Sequence, residues 1–175
     1  MALPAFAAGD ILTAADLQTL QSRSVVKVAT ESVTSSTTLQ NDDELVLSLP
    51  ANTTWEFETL IFYDGDITNG DLACAYTFPA GATVSVGGVG PANNVTSGIG
   101  SGEWTGYPGD ATSPTATFFG YGTIAAGTWL TILHSGVIVL AGAAGSLQFQ
   151  WAQRASSATA VRVAAGSRIV ARRTA

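Results

Sequence analysis

The sequence predicts an all-β sandwich preceded by a short extended arm and helix, and three observations lead there. From Val25 onward apolar residues recur with period two, the signature of strands with one covered face. β-branched and aromatic residues fill these segments, and Gly, Pro, Asn and Asp punctuate them at intervals of roughly ten to fifteen residues. Charge is also segregated: residues 154–175 carry five arginines and no acid, whereas residues 28–153 carry eleven acids and neither lysine nor arginine. The last strands of a sandwich often lie beside the middle ones. The asymmetry therefore predicts that the late arginines pair with central acids of the same chain, or with those of identical neighbours.

The elements follow in order. Residues 1–23 form a docking arm and short helix, and residues 24–175 the sandwich. Leu3, Pro4, Ala5 and Phe6 make an extended apolar lead that ends in a turn at Gly9 and Asp10, because the residue before proline avoids the helical region. Thr13 is placed as an N-cap with Asp16 in the first turn, and Leu12, Leu17 and Leu20 form an apolar stripe. A helix of two to three turns is marginal alone in water, so it must dock, either on the domain or on another protein. Leu3, Phe6, Leu12, Leu17 and Leu20 are its anchors. Strands are expected over 25–33, 37–39, 44–49, 53–63, 72–78, 83–86, 115–121, 128–140, 145–153, 160–163 and 167–173. Residues 87–114 are rich in Gly, Ser, Asn and Pro and read as a long loop, with Trp104 and Tyr107 available for ligand contact.

Alternation is clean in Leu147–Trp151 and in Trp55–Glu58, but becomes continuous at Leu60, Ile61, Phe62 and Tyr63 and again over 130–133 and 137–140. Continuous apolar runs imply that both faces are covered, one by the facing sheet and the other by a neighbouring subunit. Leu60, Phe62, His134, Arg168 and Arg172 are the candidates for that interface. With only 11% charged residues, far below the average of about 25%, much of the surface is expected to be covered by something else. A net charge of -6 and a pI near 4.4 argue against nucleic acid as a partner. No segment is apolar for long enough to cross a membrane as a helix, and the first residues lack the cationic and apolar regions of a secretory signal, so synthesis in the cytoplasm is expected.

Catalytic chemistry finds few carriers. His134 is the lone histidine, sits in an apolar strand pattern and has no evident acid partner; a buried histidine bonded to backbone or a neighbour is the plainer reading. Glu56 and Glu58 share a strand face, about 7 Å apart by strand rise, a spacing open to a glycosidase pair, but such pairs recur on many solvated strands. Asp64, Asp66, Asn69 and Asp71 lie on one glycine-bearing segment that suits calcium, although a turn between two strands explains it as well. Cys74 is alone, which leaves no intrachain disulfide. The chain is expected to be non-enzymatic, without cofactor or metal.

The segment Phe6-Ala7-Ala8-Gly9-Asp10-Ile11-Leu12-Thr13-Ala14-Ala15-Asp16-Leu17-Gln18 resembles the opening of many structural proteins of tailed phages that infect actinobacteria, with Gln18 where asparagine is usual. Asp42–Leu45, Leu49–Trp55, Gly145–Gln153 and Ala165–Ser167 are similar to the β-domain that follows this opening, in proteins labelled minor tail proteins or capsid decoration proteins. The resemblance implies a jelly-roll, trimeric, that decorates the exterior of the virion and clips onto the particle through residues 6–20. It also implies, as an alternative, a minor tail or receptor-binding protein gripping host-surface glycan through Trp104 and Tyr107.

Overall fold

The structure, a computed structural model, describes residues 6–14, 16, 22–66, 71–92, 104–111 and 119–174. Its strands are β1 (Arg23–Val26), β2 (Glu31–Val33), β3 (Gln40–Leu49), β4 (Thr54–Asp64), β5 (Leu72–Thr77), β6 (Thr83–Pro91), β7 (Trp104–Ala111), β8 (Phe119–Tyr121), β9 (Leu130–Val139), β10 (Gly145–Gln153), β11 (Val161–Val163) and β12 (Arg168–Arg173). All pairings are antiparallel. One layer has the order β3-β10-β5-β8; the other contains β4-β9-β6-β7 and is widened beyond β4 by β12, β1, β11 and β2. Strands β3 to β10 thus pass between the layers, with β6 and β7 paired as a hairpin in one of them, in the order of a jelly roll, two Greek keys wrapped into a sandwich. The predicted sandwich is the observed fold, and the jelly-roll implied by the resemblance follows from the strand order itself.

Period two places the core. On β4, Trp55, Phe57, Thr59, Ile61 and Tyr63 are buried between the layers while Glu56 and Glu58 face out. On β10, Leu147, Phe149 and Trp151 are buried from the other side. The polar atoms of three large core side chains are satisfied, as burial requires: the Trp55 indole donates to Thr53 Oγ1 at 2.8 Å, the Trp151 indole to Asp42 Oδ2 at 3.2 Å, and the Tyr63 hydroxyl to the Gly122 carbonyl at 2.6 Å.

Three expectations need correction. The strand expected over 25–33 divides into β1 and β2, because Lys27 turns its side chain into the interior between them. Residues 37–39 form no strand, and β3 begins at Gln40 instead. The loop expected over 87–114 contains the second half of β6 and all of β7, which pair from Val84↔Ala111 to Pro91↔Trp104. Its glycines misled the prediction for a physical reason. A Cβ on Gly88 would overlap the Tyr121 hydroxyl and lie 2.5 Å from His134 Cδ2, and one on Gly90 would lie 2.7 Å from the Tyr121 ring. Here glycine admits a neighbour rather than breaking a strand. Gly88→Ala is expected to lower unfolding stability by about 1–3 kcal/mol through overpacking, measured by urea denaturation. An unchanged midpoint would contradict the close packing.

Candidate functional site

The arm is built from two local turns. The Ala7 amide donates to Asp10 Oδ2 at 2.7 Å and the Asp10 amide to the Ala7 carbonyl at 3.1 Å, with Gly9 at φ 96° supplying the left-handed residue such a turn favours. Next, Thr13 and Asp16 cap each other: the Thr13 amide donates to Asp16 Oδ2 at 2.9 Å and the Asp16 amide to Thr13 Oγ1 at 3.2 Å. This is the reciprocal box of a helix start, and Ala14 and Asp16 are helical. The hydrogen bond from the Thr13 side chain, with that from its amide, holds the Asp16 carboxyl below its ordinary range. The predicted cap is therefore present. Phe6 is 44% exposed and Leu12 49% exposed. Ile11, which the sequence reading did not single out, is 88% exposed. Leu3, Leu17 and Leu20 lie outside the described residues.

A second surface is the outer face of the larger layer. Registers place Leu60 between Leu133 of β9 and Arg168 of β12, and Leu133 opposite Val89 of β6. Leu60 and Phe62 are half-buried, while Val26, Val89, Leu133, Val137 and Val139 are exposed. The opposite outer face, on the smaller layer, offers Ser48, Ser146, Gln148, Gln150 and Thr77 at the corresponding positions, with Val46 and Ala75 among them. Arg168 and Arg172 both lie exposed on the apolar face, and Arg172 pairs with Glu56 at 2.8 Å. A trough of about 580 Å³ lies here, lined among others by Glu56, Glu58, Ser85, Ser135, Arg172 and Ser22.

His134 corrects the interface expectation. It is fully buried, on the inner face of β9, with Nδ1 2.7 Å from the Tyr76 hydroxyl and Nε2 2.9 Å from the Tyr121 hydroxyl. The ring stacks on Phe119 with centroids 4.5 Å apart. It links strands of both layers and cannot meet another subunit. Burial pushes its pKa down to about 3, so the ring is neutral, with one nitrogen donating and the other accepting.

The late arginines meet the central acids within the chain. Arg162 engages both Asp64 oxygens, its Nε lying 2.8 Å from Oδ1, and the Gly127 amide donates to the same carboxylate at 2.5 Å. The bond to Asp64 raises the Arg162 pKa, and its guanidinium lies 5.0 Å over the Trp129 ring. Arg154 stands 3.8 Å from Asp71, whose other oxygen accepts the Thr123 amide at 3.1 Å. Asp66 faces the Ser157 hydroxyl at 3.4 Å. Asp64, Asp66 and Asp71 thus turn to separate partners, with an arginine fork where the sequence suggested calcium; Asn69 lies outside the described residues. No group of three metal-ligating side chains occurs among the described residues.

Lys27 is the feature sequence reading missed. Its ammonium is buried 2.7 Å from Glu31, 3.0 Å from Asp42 and 3.6 Å from Glu44. Burial alone would lower its pKa, but the carboxylates outweigh that and raise it. The available signal was its isolation as the one lysine, at the point where the strand pattern breaks. Trp104 and Tyr107, expected on a loop, stand on β7 opposite Pro91 and Gly88.

No protein-family model matches the chain, and no curated protein matches it. Among solved structures it is similar to the structure of infectious bursal disease virus Gt strain, at 10% identity and TM-score 0.27, over 87% of this chain and 40% of that one. It is likewise similar to the crystal structure of infectious bursal disease virus VP2 subviral particle, at 12% identity and TM-score 0.29, over 89% of this chain and 41% of that one. The chain thus spans about two fifths of the length of these neighbours. The superpositions are poor, and the fold class rests on the strand pairing described above.

Proposed function

We propose that the protein is a non-enzymatic structural component of a tailed-phage virion, a trimeric jelly roll that decorates the capsid exterior and attaches through its arm. The observation that carries this reading is the arm itself. Residues 6–14 and 16 are tied by their own turn and cap hydrogen bonds, yet Phe6, Ile11 and Leu12 stay exposed. A pre-shaped segment holding apolar side chains in water is what a clip needs, since little ordering entropy remains to be lost on docking. The domain behind it is suited to a passive role. The space between its layers is filled by aliphatic and aromatic side chains, and three of its arginines pair with acids of the same chain. Jelly rolls serve as capsid and lectin domains among others, so the fold alone does not select the function; the resemblance of residues 6–18 to phage structural proteins does.

The test mixes undecorated particles with the full chain, with a chain lacking residues 1–22, and with Phe6→Asp/Leu12→Asp, and measures co-sedimentation. The full chain should bind and both variants should be lost from the pellet. Equal attachment by all three would reject the clip.

A further inference from the structure

We infer that the outer face of the larger layer is where a second copy of this chain docks, with Arg168 of one copy entering the trough beside Glu58 of the other. This deepens the self-association in the reading above and rests on that part of it.

The first ground is the difference between the two outer faces. On the smaller layer the outward positions of β10 are Ser146, Gln148 and Gln150, as a solvated face requires. On the larger layer the outward positions of β9 include Leu133, Val137 and Val139, all at least 37% exposed. Leu133 adjoins Leu60 and Val89 in one apolar cluster, and Ser135 and Glu58 separate it from Val137 and Val139; an exposed apolar cluster rimmed by polar residues marks an interaction site.

The second ground is charge, which selects the occupant. The trough holds two carboxylates, Glu56 and Glu58, against one guanidinium, Arg172. Arg172 bonds Glu56 at 2.8 Å and also feels the Glu58 charge, so one guanidinium serves two carboxylates and the trough keeps a surplus negative charge at Glu58, which has no hydrogen-bonded cation of its own among the described residues. On the same face Arg168 is exposed and its register partners are Leu60 and Val26, so no acid stands opposite it. One face thus presents an unmatched acid in a hollow and an unmatched base outside it. Arg168 of one copy can therefore meet Glu58 of the next, a head-to-tail contact that closes into a ring as a trimer requires. A basic partner of another kind would match Glu58 but would leave Arg168 unmatched.

Sedimentation velocity of the full chain over a concentration series tests this without any particle, so a negative result leaves the clip untouched and a failed clip leaves this test intact. Wild type should associate reversibly. Arg168→Glu and Glu58→Lys should each weaken association on the order of tenfold or more, and the two combined should restore it. Both residues are exposed, so circular dichroism should report the same fold in every variant. A wild type that stays monomeric throughout, or single reversals that associate as wild type does, would overturn the inference.

Discussion

Lys27→Met is expected to destabilise the fold by about 3–5 kcal/mol, the cost of leaving a buried charge without its counter-ion. Lys27 and Asp42 side chains are both fully buried and 3.0 Å apart. Asp42 also accepts the amides of Glu44 at 3.0 Å and Leu45 at 2.8 Å and the indole of Trp151. Those donors keep the carboxylate fixed in place after the ammonium is gone, so it cannot turn to water. Glu31 and Glu44, drawn in by the same lysine, then repel it. Glu44 also accepts the amides of Val28 and Ala29, so losing its cation should loosen the turn between β1 and β2. Urea denaturation at neutral pH should show the loss, and the melting temperature should fall by about 10 °C. A change below about 1 kcal/mol would mean that the cluster is solvated in solution. The sign with pH follows from the raised Lys27 pKa. Its contribution is fully present below the ordinary value of 10.5 and is lost as pH climbs through the higher folded value.

This cluster also marks how far the sequence could be read. Charge segregation pointed to pairing of late arginines with central acids, and β11 and β12 do lie against β4, bringing Arg162 to Asp64 and Arg172 to Glu56. That inference worked because antiparallel order and opposite charge both constrain the same neighbours. Lys27 escaped it because a single lysine ahead of an acidic stretch gives no pattern. The alternation of Trp55 to Glu58 likewise fixed which residues face the core. The continuous runs did not: with Leu130 and Ile132 on one parity and Leu133 on the other, nothing in the sequence says whether His134 points in or out. Its fully buried position is decided by partners more than ten residues away, Tyr76 and Tyr121. β7 was hidden for a related reason, since its glycine-rich partner β6 derives its shape from the side chains it admits across the layers. Residues 6–16 were the most legible part, because turn and cap chemistry act over three residues.

Acidification should expose the cost of the buried histidine. In the fold His134 has a pKa of about 3 against an ordinary 6.5, so between these values the unfolded chain binds a proton that the folded one does not. Stability from this site is therefore complete above pH 6.5 and declines as pH falls, at up to about 1.4 kcal/mol per pH unit, reaching about 3 kcal/mol by pH 4. The geometry agrees with this direction. Tyr76 on β5, Tyr121 and Phe119 on β8, and Gly88 on β6 surround the ring, and no carboxylate bonds it among the described residues. An imidazolium could donate to both tyrosine hydroxyls, but its charge would remain uncompensated in the interior. Carboxylates titrate over part of the same range, so the comparison must be with His134→Gln. That variant should be less stable at neutral pH, yet its stability should fall less steeply between pH 6.5 and 4. Parallel curves for the two proteins would show that protonation reaches the ring without opening the fold. Imidazole shifts in NMR spectra of the folded wild type should stay those of the neutral ring down to pH 4. If they titrated near 6.5 instead, the link between the two layers through Tyr76, His134 and Tyr121 would be open to water.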